Sequence, residues 1–96
     1  MENNVFQLIV YIDNSRDIYA FTEYLQNNLA KKIRKGLAVS EEYLAQCSTM
    51  KRIIRMAVKM VRENEGFHPT KKECRQAAKS HAAYIMECAE YLASDN

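Results

Sequence analysis

Residues 40–66, SEEYLAQCSTMKRIIRMAVKMVRENEG, decide the class of this protein. Ser40 has the short hydroxyl side chain that satisfies an orphan backbone N–H at a helix start. Glu41 and Glu42 follow it at the positive end of the helix dipole. Val39 and Leu44 stand at the spacing of a hydrophobic staple. From there Tyr43, Cys47, Met50, Ile54, Ala57, Val58 and Val61 fall on one side at about 100° per residue, and Gly66 supplies the stop. The pattern predicts a helix over about 40–65 with one apolar seam.

Downstream, Gly66-Phe67-His68-Pro69 reads as a loop. Thr70 then caps a helix whose Glu73 completes a capping box. Its apolar stripe is Cys74, Ala77, Ala78, His81, Ile85, Cys88, Ala89 and Leu92, which predicts a helix over about 70–93. Upstream, a helix over about 15–35 begins near Asn14–Ser15 and turns Ile18, Phe21, Leu25, Leu29 and Ile33 to one face. Lys31, Lys32, Arg34 and Lys35 crowd its last turn, and Gly36 takes the left-handed position beyond it. The segment at about 4–12 is ambiguous. Its Val, Ile, Phe and Tyr favour a strand, yet no second strand exists to pair with its backbone groups. A short helix with Val5, Leu8, Ile9 and Ile12 inward is preferred over an extended segment.

Ninety-six residues with two glycines and one proline suit one helical domain, 1–96, rather than a turn-rich sandwich or barrel. The expectation is all-α: a small antiparallel bundle of three long helices plus the N-terminal piece. A turn centred near 67–68 would face Val61 with Cys74, Ala57 with Ala78, Ile54 with His81, Met50 with Ile85 and Cys47 with Cys88.

The apolar run Val5 to Ile12 is far shorter than the ~20 residues of a membrane span. No basic residue precedes it, as a secretory signal would require. Three cysteines without metal-finger spacing read as reduced thiols, so a cytoplasmic location is expected. Net charge is +2, unevenly placed. Residues 1–30 carry one base and four acids, residues 31–62 nine bases and two acids, and residues 63–96 four bases and six acids.

Catalytic chemistry finds little support. Cys74, His81 and Cys88 share a face at intervals of seven residues, a rise of ~10.5 Å each. Zinc ligands must each lie ~2.3 Å from one ion, so no metal site is expected. His81 reads as a buried neutral histidine and His68 as a loop residue. Cys47 and Cys88 are either reduced core thiols or an oxidisable latch. No paired inward carboxylates, glycine-rich phosphate loop, Gly-x-Ser-x-Gly or His-Glu-x-x-His occurs. The expectation is a non-enzyme without cofactors.

The most specific surface feature is basic. Lys51, Arg52, Arg55, Lys59 and Arg62 project away from the seam, and the last four form a band ~15 Å long. No acid interrupts the band before Glu63, although like charges one turn apart repel. Met56 and Met60 lie at its margin, and Lys71 and Lys72 should lie near its Arg62 end. Soft methionines beside a cation row suit a contact surface. Tyr19, Tyr24 and Tyr91 also fall off or at the edge of their core stripes.

Ile12-Asp13-Asn14, then Ile18-Tyr19, then Asn28-Leu29-Ala30-Lys31-Lys32-Ile33-Arg34-Lys35-Gly36 resembles a pattern in small proteins of bacteriophages and mobile elements. The likeness spans roughly residues 5–60. The chain departs from it in lacking an aromatic-rich middle helix. The resemblance implies a phage or mobile-element setting and no particular activity. The expected function is therefore a non-enzymatic accessory module that binds a protein partner, through an acidic or nucleic-acid-binding surface of that partner. Inhibition of a host defence nuclease, in the manner of anti-CRISPR proteins, is one form of it. The partner-binding residues would be Lys51, Arg52, Arg55, Met56, Lys59, Met60 and Arg62. Direct nucleic-acid binding by the same face is the alternative, and a homodimer fits either.

Overall fold

The computed structural model describes residues 3–94. They form five helices: α1 Asn3–Asn14, α2 Arg16–Arg34, α3 Glu41–Gln46, α4 Ser48–Glu65 and α5 Lys71–Ser94. No strand occurs among the described residues, so the protein is all-α.

The N-terminal segment is a helix. Val5, Leu8 and Ile12 turn inward at helical spacing, and Ile9 is half-buried beside them. The helix satisfies its interior backbone groups without a partner strand, and α1 lies on both α4 and α5, so its apolar face finds cover. Ser15 separates α1 from α2 in an extended conformation, its Oγ accepting from the Ile18 N–H at 3.3 Å. α2 ends in a Schellman turn. Gly36, at φ +76°, donates to the Ile33 carbonyl at 2.9 Å, and Leu37 donates to the Lys32 carbonyl at 2.9 Å.

The helix expected over 40–65 is two helices. Cys47 is extended (φ −68°, ψ 160°) and ends α3, and its Sγ accepts from the Met50 N–H at 3.5 Å to cap α4. On a straight rod Tyr43 would share the seam with Met50 and Ala57, while Leu44 would point outward with Lys51 and Arg62. The break reverses this. Leu44 is 4% exposed and Tyr43 66%. Burying a leucine and leaving a tyrosine at the surface is the better exchange, since the phenol hydroxyl keeps its water. The Ser48-Thr49 pair just beyond the break has low helix preference and resists it little.

The facing of the last two helices also differs from expectation. α5 packs chiefly on α2 and then on α3, while α4 packs chiefly on α1. His81 meets Thr22 of α2 rather than lying opposite Ile54. The Arg34 guanidinium donates to the Leu92 carbonyl at 2.8 Å. These two bonds fix α2 and α5 as parallel neighbours. Because α1 covers α4 as well, the seam of α4 is wider than predicted and takes in Ile53, which is fully buried. On α2, Thr22 and Ala30 are buried, while Phe21 and Ile33 stay half-buried at the edge. Alanines 77, 82 and 89 are fully buried on α5, and their small side chains let neighbouring backbones approach.

Candidate functional site

α4 places the basic face. Its inward side holds Met50, Ile53, Ile54, Ala57 and Val61. Helical geometry then puts Lys51, Arg52, Arg55, Lys59 and Arg62 on the opposite side, and all five are exposed. Among the described residues, no hydrogen bond or ion pair engages the side chains of Lys51, Arg55, Lys59 or Arg62. Arg52 is held differently, with its guanidinium carbon 5.4 Å from the centroid of the Phe21 ring. That stacking orients the Arg52 fork and leaves its charge unneutralised.

Arg55, Lys59 and Arg62 border an open groove of about 720 Å³ between α4 and the start of α5. Ile54, Val58 and Cys74 form its apolar floor, and Glu63 stands at its rim. Three cations over an apolar floor suit a carboxylate-bearing surface that brings some aliphatic contact. The Cys74 thiol is pushed up from its ordinary pKa, first by burial and then by the charge of Glu73. It therefore stays protonated and is a floor residue rather than a nucleophile. Lys71 and Lys72 are exposed at the first turn of α5, which the loop 66–70 joins to the Arg62 end of α4.

Met56 and Met60 lie on α4 beside the row of cations. Both are half-buried and packed against the core. Val58 is half-buried like the two methionines, and Ile54 is buried beneath the groove.

The other singled-out residues separate from this face. His81 is 6% exposed, with Nε2 2.8 Å from the Thr22 Oγ1 in a shared hydrogen bond. Burial lowers its pKa to about 4, so the imidazole is neutral at pH 7. The three thiols are free. Cys47 lines a hollow beside α2 and α3, whereas Cys88 lines another among α1, α2 and α5. Among the described residues, no three His, Cys, Asp or Glu side chains are grouped to hold a metal ion. No described helix is long and apolar enough to cross a membrane. Tyr19, Tyr24 and Tyr91 are well exposed, Tyr91 at 71%. Sequence reasoning passed over Tyr84, also exposed, whose ring stacks on His81. Its signal was the spacing His81, Tyr84, Cys88, Tyr91, a second stripe running beside the core stripe of α5. Comparison with family models, with curated proteins and with solved structures found no match.

Proposed function

We propose that this protein is a non-catalytic docking module that binds an acidic protein surface through the outer face of α4. The observation that carries the reading is the row Lys51, Arg52, Arg55, Lys59 and Arg62, exposed together on one helix side. Holding five like charges in a row costs electrostatic repulsion, and an acidic partner would relieve it. Arg52 and Arg55 would supply bidentate pairing to carboxylates and Lys59 a point charge. The groove floor of Ile54 and Val58 would add apolar contact at the centre of the patch. In the phage or mobile-element setting that the sequence resembles, occupation of a host defence nuclease is one concrete form. A cytoplasmic location agrees with the three free thiols.

Affinity capture from the host, with wild-type protein and with Arg55→Glu/Lys59→Glu, tests this directly. A protein partner that co-purifies with wild type and is lost from the double variant is the expected result. Equal recovery with both removes α4 from the interface.

The second reading is direct nucleic-acid binding, favoured by the three unpaired cations around one open groove. Neutralising ~4 phosphates would give a log–log salt slope near −4. A mobility-shift titration at two salt concentrations separates the two readings, and the acidic-partner reading expects no shift even at low salt.

A further inference from the structure

A second surface hollow, of about 750 Å³, opens where α1, α2 and α5 meet. It shares no lining residue with the α4 groove. Three tyrosines, Tyr19, Tyr84 and Tyr91, and two carboxylates, Asp13 and Glu87, stand around it, and no lysine or arginine does. The three tyrosines are 52–71% exposed, so their rings are open to a ligand from solvent.

Tyr84 is the centre of the arrangement. One face of its ring lies against the His81 imidazole, with centroids 6.0 Å apart and planes 17° from parallel. The Cys88 thiol, one helical turn further on, is the first cause that raises the pKa of the Tyr84 hydroxyl, and the Asp13 carboxylate raises it further. Asp13 of α1 and Tyr19 of α2 line the same hollow as this ring of α5. His81 itself is tied to Thr22 and neutral at pH 7, so it brings no positive charge to the hollow.

Aromatic faces are electrostatically negative, and two carboxylates add full charge beside them. The same hollow is lined by Ile9, Ile12 and Leu92, which cannot replace the water of a small, strongly hydrated ion. An anion would meet Asp13 and Glu87 on the lining, whereas the Arg34 guanidinium, which donates to the carbonyl of the lining residue Leu92, is not itself part of that lining. Tyrosine faces, acidic groups and aliphatic walls together match a weakly hydrated organic cation. We propose that this hollow binds such a cation, a guanidinium or alkylated ammonium group, against the Tyr84 ring with Asp13 and Glu87 balancing its charge.

Proton NMR of the tyrosine and His81 rings tests the proposal during two separate titrations, one with tetramethylammonium chloride and one with argininamide. Sodium chloride at matched ionic strength is the control. Saturable shifts of the Tyr84 and His81 resonances with either probe are expected, with binding about tenfold weaker in Asp13→Asn/Glu87→Gln. Both substituted residues are exposed, and circular dichroism checks that the double variant keeps its helices. Tighter binding of argininamide would identify an arginine side chain as the natural occupant, and tighter binding of tetramethylammonium an alkylated amine. Shifts no larger than those in sodium chloride with both probes overturn the assignment. So does binding that the double variant leaves unchanged.

Discussion

Thr22 and His81 form a buried polar contact between α2 and α5, and each depends on the other. Thr22→Val keeps the shape and removes the hydroxyl, leaving the imidazole nitrogen buried without its partner. A loss of about 1–3 kcal/mol is expected in urea unfolding. His81 also makes stability depend on pH in a definite direction. In the unfolded chain it takes up a proton near pH 6.5, but in the folded protein only near pH 4. Between those values the unfolded state holds more protons, so stability falls as pH is lowered through that window. The loss is about 3 kcal/mol across the whole interval and levels off below it. Above pH 6.5 the group contributes no slope. Urea unfolding of wild type and His81→Gln from pH 7.5 to 4 reads this as a difference between two curves, which cancels the carboxylates common to both. Parallel curves would show that the imidazole is not desolvated.

At the scale of the element, the helix ends are held by local hydrogen bonds. The Thr70 N–H donates to the Glu73 carboxylate at 2.8 Å, and the Glu73 N–H donates to the Thr70 hydroxyl at 3.1 Å. Thr70→Ala should cost about 1 kcal/mol, measurable as a drop in the unfolding midpoint. Ser40 does the same for α3, accepting from the Tyr43 N–H at 3.1 Å. These caps were legible because each is written within four consecutive residues. The interruption at Cys47 was not, since periodicity alone allowed one continuous seam. Two substitutions distinguish the broken from the unbroken helix. Leu44→Ala should cost about 2–4 kcal/mol and Tyr43→Ala less than about 0.5 kcal/mol. The reverse order in a denaturant titration would restore the straight rod.

At the scale of the molecule, the five helices share one buried core in a body of 44 × 24 × 22 Å. The α4 cations stand outside that core, so charge reversal there should spare the fold. Arg55→Glu/Lys59→Glu is expected to stay within about 0.5 kcal/mol of wild type in stability, and a larger loss would mean that the face is structural. How much of this could be read in the chain varies by feature. The helical class, the caps at Ser40 and Thr70, the left-handed turns at Gly36 and Gly66 and the outward row of cations all follow from neighbours within a turn or two. Spacing and local hydrogen bonding determine them before any helix meets another. Other features needed the tertiary structure: the turn at Cys47 that buries Leu44, the packing of α5 on α2 rather than chiefly on α4, and the partial burial of Met56 and Met60 against the core. So did the gathering of Asp13, Tyr19 and Tyr84 around one hollow. Each depends on which faces interlock across distant parts of the chain, and close packing selects among partners that the pattern of apolar residues leaves equivalent.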